Sequence, residues 1–302
     1  MRATTEAGTV RRPRPRLVVL AIVVVAVLLY GTVVTLYAFG GQVTETGTTD
    51  VPADAEAVVT VRPQAVDAAS DRLEVVLDLG LGAAIAAGAP GETAPGVTLL
   101  VSGSAETRTI EFSAEGVLSP VSVSLITDGV VEQWPFDAHT ATTTLVAYRI
   151  VDGDLEVLPT YLIAEGRVPG WNVDARPLAA QHAVLEGRDV ILPVVQLTAT
   201  RAGSTVAFGL VLLALMIVIP VVVLVVTISA YRGRRRVEPT FLGWIGAMLF
   251  ATIPLRTFLP GSPPIGSWID FLIVLWVFVG LVAGLIVFVA AWMRWSAPPD
   301  RH

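Results

Sequence analysis

Four long apolar runs constrain the fold of this chain more than any other feature of its sequence. They cover residues 17–39, 205–231, 241–259 and 268–292, and the only charged residues within them are Arg256 and Asp270. An α-helix rises about 1.5 Å per residue, so about 20 apolar residues cross the ~30 Å hydrocarbon core of a bilayer. The sequence therefore predicts four transmembrane helices, one near the N-terminus and three near the C-terminus.

The arginines indicate how these helices are oriented. The chain contains no lysine, and its 20 basic residues are all arginine. The main clusters are Arg11, Arg12, Arg14 and Arg16 before the first run, and Arg232, Arg234, Arg235 and Arg236 after the second. Because basic residues flank transmembrane helices on the cytoplasmic side, we interpret both clusters as topology determinants. We expect a multi-pass plasma-membrane protein with both termini in the cytoplasm.

Two alternative interpretations concern these basic and apolar segments. The first run could be a cleaved signal peptide, with Ala38 and Gly40 as small residues at the cleavage site, but its length favours an uncleaved anchor. The basic stretch 232–236 could be a nucleic-acid site, but it is a short loop between two spans, which favours contact with anionic lipid headgroups. We expect the lipid bilayer as a partner and no nucleic acid.

The topology divides the chain into nine segments. They are a cytoplasmic tail (1–16), the first span (17–39), an extracytoplasmic domain (40–203), the second span (204–231), a cytoplasmic loop (232–239), the third span (240–259), an outer loop (260–267), the fourth span (268–293) and a cytoplasmic tail (294–302). The extracytoplasmic domain carries 22 acidic residues and 8 arginines, whereas the rest of the chain carries 4 and 12. The acidic charge is therefore concentrated outside the cell.

Short stretches of alternating apolar residues predict that this domain is built from strands. They cover 56–62, 72–78, 97–101, 107–112, 121–126, 142–150, 155–163 and 190–198, and turn residues separate them at Pro90-Gly91, Asp128-Gly129, Asp152-Gly153 and Pro169-Gly170. This pattern is typical of an antiparallel sandwich or a barrel-like sheet. The predicted fold class is therefore a β-sandwich-like domain inserted between the first and second of four transmembrane helices.

The segment Trp134, Pro135, Phe136 and Asp137 predicts a structural turn. Pro135 fixes its own φ and favours an extended conformation at Trp134. The two aromatic rings are suited to burial, and Asp137 can close the turn by accepting bonds from backbone N–H groups. An alternative hypothesis is that the turn meets the membrane surface or the ends of the spans and transmits strain between domain and helices.

Arg256 and Asp270 fall at similar depths on neighbouring antiparallel helices, near the outer surface. The connection between them contains three prolines and two glycines in residues 258–267, which predicts a tight outer turn. Because charged residues in spans usually have partners, we expect an ion pair between them. The alternative is that each side chain extends separately to water or to lipid headgroups.

The sequence contains none of the common motifs of catalytic or metal-binding sites. The chain has no cysteine, its three histidines (His139, His182 and His302) are far apart, and no nucleophile elbow or phosphate-binding glycine loop is present. We therefore expect no catalytic, cofactor-binding or metal-binding residues. The sequence favours a protein that is not an enzyme.

Two resemblances to known families follow from these motifs. The turn at 134–137 within a β-rich domain, followed by the segments 254–270 and 271–276, resembles the DUF4436 family of uncharacterised actinobacterial membrane proteins. That resemblance implies one outer domain and four spans, and it transfers no functional residue because the family has no assigned activity. The turn alone is similar to one near the membrane in pentameric ligand-gated channels, which however carry all four spans after the outer domain.

Three functions are consistent with this organisation. In the first, the extracytoplasmic domain binds a protein or lipid partner of the cell envelope and the spans anchor it. In the second, the chain is a subunit of a homo-oligomeric channel or transporter. In the third, it is an enzyme of the outer leaflet that uses Arg256 and Asp270 in a cleft.

Overall fold

The computed structural model describes residues 31–32, 34–35, 43–44, 55–82, 96–103, 107–112, 119–185, 188–235 and 237–295. Most of the predicted first span therefore lies outside the described residues, and the four of its residues that are described are helical. Arg11, Arg12, Arg14, Arg16 and Arg236 also lie outside them, as do His302 and the predicted turn at Pro90-Gly91.

Among the described residues, eleven strands make up the strand domain, residues 57–201, and one short strand precedes it nearer the N-terminus. They are β1 (Val43–Thr44), β2 (Ala57–Asp67), β3 (Arg72–Leu81), β4 (Val97–Ser102), β5 (Arg108–Phe112), β6 (Val121–Ile126), β7 (Asp128–Gly129), β8 (Ala138–Val151), β9 (Asp154–Val157), β10 (Thr160–Ala164), β11 (Trp171–Leu185) and β12 (Arg188–Arg201). A 3-10 turn, Val131–Gln133, lies between β7 and β8.

The strands form two sheets that pack face to face. The larger has the order β1-β11-β12-β8-β4-β5, with β7 and β9 also paired to β8, and the smaller has the order β10-β2-β3-β6. Alternate residues point into the core: β2 buries Ala57, Val59 and Val61, and β3 buries Leu73 and Val75. Because one face of each sheet is apolar, the two faces close on each other as a sandwich-like core.

The expected β-sandwich-like fold is confirmed, but several details of the prediction are wrong. β1 pairs with β11, and β10 with β2, in parallel, so the domain is not wholly antiparallel. The predicted strand 155–163 is two strands separated by Leu158 and Pro159, and Asp128-Gly129 pairs with β8 as a strand rather than forming a turn. Asp152-Gly153 and Pro169-Gly170 do lie in turns.

Three described helices are long and apolar enough to cross a membrane. They are α1 (Gly203–Tyr231), α2 (Thr240–Thr257) and α3 (Leu275–Trp295), the last preceded by a π-helical turn, Asp270–Val274. Their bounds agree with the second, third and fourth predicted spans to within a few residues.

Glycines bring α1 and α3 into close contact. A Cβ atom on Gly280 would lie 3.0 Å from Cβ of Pro220, and one on Gly284 would lie 2.6 Å from a methyl group of Val223. Small residues spaced four apart allow helix backbones to approach in this way inside membranes. The two helices therefore form the tightly packed pair of the bundle, and α2 lies against them.

Candidate functional site: the junction between strand domain and helices

The strand domain meets the helices through a compact set of polar and aromatic side chains, which we call the junction. It consists of Trp134, Asp137, His139, Trp171, Arg201, Pro260 and Trp268. These residues come from the turn before β8 and the start of β8, from the ends of β11 and β12 nearest α1, from the connecting loop 258–267, and from the start of the last helical segment.

Trp134 is the residue of the strand domain that packs into the helix core. Its side chain is fully buried within the apolar cluster formed by the three helices. Its indole Nε1–H donates to the carbonyl oxygen of Pro260 at 2.8 Å, and its own carbonyl accepts from Nε1–H of Trp268 at 2.6 Å. A Cβ on Gly209 of α1 would lie 2.7 Å from the Trp134 ring, so glycine provides the space that the ring occupies.

Asp137 and Arg201 form a buried ion pair beside this tryptophan. Nε of Arg201 lies 2.5 Å from one carboxylate oxygen and Nη2 lies 2.9 Å from the other, so the contact is bidentate. The guanidinium also lies over the Trp171 ring, 4.5 Å from its centroid, and Nη1 is 3.5 Å from the Pro260 carbonyl oxygen. Planar bidentate pairing combined with stacking is the geometry for which arginine is suited and lysine is not.

The charge state of Asp137 follows from its partners. Burial raises the pKa of this carboxyl group, but the hydrogen bonds from His139 and Arg201, together with the Arg201 charge, outweigh burial and leave the pKa below its ordinary value. Asp137 is therefore ionised at neutral pH and balances the charge of Arg201.

His139 completes the polar part of the junction. Its Nε2 lies 3.1 Å from a carboxylate oxygen of Asp137, and because an ionised carboxylate only accepts, the imidazole is the donor. Its Nδ1 has no hydrogen-bond partner among the described residues and lies 4.0 Å from a carboxylate oxygen of Asp71, in the β2–β3 turn. The Asp137 and His139 side chains are both fully buried, so this pair is not accessible to a substrate.

The backbone joins the same parts of the molecule. Arg201 is the last residue of β12, and α1 begins two residues later at Gly203. The N–H of Ala202 donates to the carbonyl of Gly170 at 2.9 Å, and the Thr205 hydroxyl donates to the same carbonyl at 3.1 Å. The turn before β11 is therefore tied to the first turn of α1.

Arg256 and Asp270 lie close to the junction, in the two helical segments that flank the connecting loop. Nε and Nη2 of Arg256 are 3.2 Å and 3.0 Å from the two carboxylate oxygens of Asp270. Arg256 also donates to the Pro264 carbonyl at 3.2 Å, and Asp270 accepts from the Gly266 N–H at 2.8 Å. The structure thus brings the two residues together as a clamp on the loop.

The turn 134–137 differs from its predicted form at two residues. Phe136 is 66% exposed instead of buried, whereas Trp134 is fully buried. Asp137 bonds mainly to the Arg201 and His139 side chains rather than to backbone N–H groups of its turn. The contribution of Arg201, Trp171 and Trp268 was not foreseen. One sequence feature could have indicated Arg201: it is the charged residue that immediately precedes an apolar run, where a charge beside the membrane is expected to have a partner.

The remaining sequence-based expectations concern exposed or basic residues. Arg232, Arg234 and Arg235 follow α1 and are exposed, and His182 lies on the exposed part of β11. Within the described ranges, no three His, Cys, Asp or Glu side chains are grouped as metal ligands would be. The chemical role of the junction is therefore to keep a buried ion pair neutralised and to fix the position of the strand domain relative to the helices.

Two family models match the chain, and they meet near the junction. Residues 47–194 match a domain of unknown function, DUF4436, which is the family expected from the sequence. Residues 201–295 match a second domain of unknown function, DUF8686, and this second match contains the segments 254–270 and 271–276 that were expected to belong to the first. A comparison with curated proteins found no match. Asp137 falls within the first match and Arg201 is the first residue of the second, so the buried ion pair joins the two matched regions.

Proposed function

We propose that this chain, a member of the DUF4436 family, is a multi-pass plasma-membrane protein that presents its strand domain outside the cell to bind a protein or lipid partner of the envelope. The proposal assigns no catalytic chemistry to it. The three apolar helices, with the first apolar run of the sequence, would supply the anchor, and the acidic domain would supply the binding surface.

The observation that carries this proposal is the buried junction. A domain that needed only to be anchored could be joined to the membrane by a flexible linker, which costs little free energy. Here the fully buried Trp134 and the bidentate Asp137–Arg201 pair fix the domain against the helices. A binding surface on the domain would therefore be held at a fixed height and orientation above the membrane.

A cysteine-labelling experiment tests the orientation on which the proposal depends. Because the chain has no cysteine, single cysteines can be introduced into the full-length protein without background. We expect V184C, at a site 68% exposed on β11, to react with a membrane-impermeant maleimide in intact cells. R234C, in the exposed loop after α1, should react only after permeabilisation. The reverse pattern would reject the proposal.

Photo-crosslinking of the full-length protein in cells tests the binding itself. A photoreactive residue at Ile191, which is 61% exposed on β12, should give a discrete adduct with an envelope protein or lipid. The same residue at position 234 serves as the control and should not give that adduct. If exposed positions on all faces of the strand domain yield only adducts that the control also gives, the proposed binding function is wrong.

A second candidate function is that of a channel subunit. The turn that is similar to one in pentameric ligand-gated channels lies between the strand domain and the helices, where its Trp134 contacts α1 and the connecting loop. A conformational change in the strand domain could therefore be transmitted to the helices through this turn. Ion flux in liposomes containing the purified protein would support this candidate, and a strictly monomeric protein without flux would exclude it.

A further inference from the structure

We propose that Nδ1 of His139 is a proton-binding site within the junction. A proton taken up there in a mildly acidic medium makes this nitrogen a hydrogen-bond donor to the carboxylate of Asp71, and so ties the β2–β3 turn to the junction. The proposal does not depend on the binding function suggested above, because it concerns how firmly the strand domain itself is assembled.

The surroundings of Nδ1 leave it chemically incomplete. The His139 side chain is fully buried, and its Nε2–H is committed to Asp137 at 3.1 Å, so Nδ1 of the neutral ring carries a lone pair. Within the described part of the chain, Nδ1 and the Thr127 hydroxyl are the two buried side-chain polar atoms that have no hydrogen-bond partner. Buried polar atoms are nearly always paired, because an unpaired one is costly. A proton on Nδ1 would give this nitrogen a bond to make.

Uncharged neighbours hold the imidazole in place on two sides. Gly129 of β7 is paired with His139, and a Cβ atom on this glycine would overlap Nδ1. The Trp171 ring of β11 meets the imidazole edge-on, with the two ring centroids 5.8 Å apart. These two strands therefore fix the position of the ring without contributing charge to it.

The charged groups around the ring come from three other elements. Among the described residues, two carboxylates lie within 4.0 Å of the imidazole: Asp137 at Nε2, and Asp71 of the β2–β3 turn at Nδ1. Arg201 at the end of β12 is the cation of the group, and it is bonded to Asp137. Two carboxylates and one guanidinium leave one negative charge in excess while the ring is neutral. A proton on Nδ1 removes that excess.

Asp71 is placed to meet this proton. Its carboxylate oxygen lies 4.0 Å from Nδ1, and its side chain is 56% exposed, so it also connects the buried nitrogen with the surrounding medium. A hydrogen bond requires a separation of about 2.7–3.2 Å, so the carboxylate has to approach by about 1 Å. The turn itself is anchored beside the site, since the Asp71 carbonyl accepts from the Thr127 N–H at 2.9 Å. A rotation of the Asp71 side chain is therefore enough to close the contact.

The new bond links parts of the molecule that are otherwise separate at the junction. β2 and β3 belong to the smaller sheet, whereas the junction residues of the strand domain lie in or next to strands of the larger sheet. A bond from His139 to Asp71 connects the smaller sheet to β8 and, through Asp137 and Arg201, to the start of α1. Histidine is the side chain that changes charge between about pH 5 and 8. The junction is thus held more firmly in a mildly acidic medium than in a neutral one.

Nitrogen NMR of the full-length protein in detergent, with labelled histidine, measures the protonation of Nδ1 directly. The chain has three histidines, and the variants His182→Gln and His302→Gln identify two of the signals and leave the third to His139. We expect the Nδ1 signal of His139 to be that of a bare nitrogen at about pH 7.5 and of a protonated one at about pH 5.5. The same state of Nδ1 at both pH values would overturn the proposal.

A pair of aspartate variants tests the contact with Asp71. Asp71 and Asp152 both lie in turns between consecutive strands, with φ values of 52° and 54°, and both are exposed. Asparagine tolerates this backbone conformation as aspartate does, so Asp152→Asn is a matched control for Asp71→Asn. Asp137 is present in the wild type and in both variants, so its own pH dependence cancels in the comparison.

The two variants should differ in how their effects depend on pH. We expect Asp71→Asn to lower the melting temperature by about 2–4 °C at about pH 5.5, because the imidazolium then lacks a counter-charge at Nδ1, and by clearly less at about pH 7.5. Asp152→Asn should give the same shift at both pH values. An effect of Asp71→Asn that does not grow as the pH is lowered would contradict the proposal.

Discussion

At the scale of single residues, the junction depends on a buried charge pair that is stable only while both partners are present. Removing one partner from such a pair leaves an unpaired buried charge, which costs about 3–5 kcal/mol. Arg201 has a side chain only 2% exposed and Asp137 is fully buried, so neither can recover solvation from water. Both residues should therefore behave as structural residues that hold two domains together.

Substitutions at this pair should reveal strong coupling. We expect Asp137→Asn and Arg201→Met each to lower the free energy of unfolding by about 3–5 kcal/mol, because each leaves the other group without its counter-charge. The double variant should lose clearly less than the sum of the two single losses. Denaturant unfolding of the purified protein in detergent measures all four forms, and additive losses would mean that the pair contributes no interaction energy.

The pH dependence of stability should follow the carboxyl group of Asp137. Its pKa is lower in the folded protein than its ordinary value, so the unfolded chain takes up a proton first as the pH falls. The stabilisation is fully present above the ordinary aspartate pKa of about 3.9 and is lost as the pH falls through the folded-state value. The melting temperature of the wild type should therefore fall as the pH is lowered from neutral to acidic. The fall should be smaller for Asp137→Asn, which has no carboxyl group to protonate at this position.

The contact between Gly209 and Trp134 gives a third prediction at this scale. Gly209→Ala places a methyl group 2.7 Å from the indole ring and should destabilise the protein by about 1–3 kcal/mol through overpacking. Gly246→Ala, where no atom lies within 4 Å, is the matched control and should be neutral or slightly stabilising. Tryptophan fluorescence during unfolding follows both variants. Equal effects of the two substitutions would mean that the ring has room to move.

At the scale of elements, the loop between α2 and α3 is held at both of its ends. Pro260 near its beginning accepts hydrogen bonds from the strand domain, and Arg256 and Asp270 clamp it from the two flanking helical segments. Prolines and glycines prevent regular structure in this loop, so side chains rather than backbone ladders fix its shape. The strand domain can therefore influence the relative position of α2 and α3.

The clamp can be tested by a double-mutant cycle. Asp270→Asn and Arg256→Gln should each lower stability, and the double variant should lose about 0.5–3 kcal/mol less than the sum, because the two side chains share their hydrogen bonds. Protease sensitivity of the loop 258–267 and denaturant unfolding provide two measurements. Losses that add fully would mean that each side chain acts separately.

At the scale of the whole molecule, the described part of the chain is a sandwich-like domain that packs against the α1–α3 pair, with α2 beside that pair. The domain and the helices are matched by two different family models, and the residues that connect them come from both.

The sequence determined the elements whose signal is local. The apolar runs predicted α1, α2 and α3 to within a few residues, since length and composition decide whether a helix is favoured in lipid. Alternation predicted nine of the strands of the sandwich at least in part, two of them as one continuous strand. β11 was not predicted, because Pro177 interrupts its pattern and the strand is exposed from Arg176 to His182.

The tertiary structure alone decided the junction. Asp137 and Arg201 are 64 residues apart, and Trp134 and Pro260 are 126 residues apart, so no local pattern relates them. Their contacts exist because the sheet order places the end of β12 beside the turn before β8, and because the loop after α2 returns to that point. Local sequence sets which elements form, whereas the pairing of buried charges depends on the packing that removes them from water.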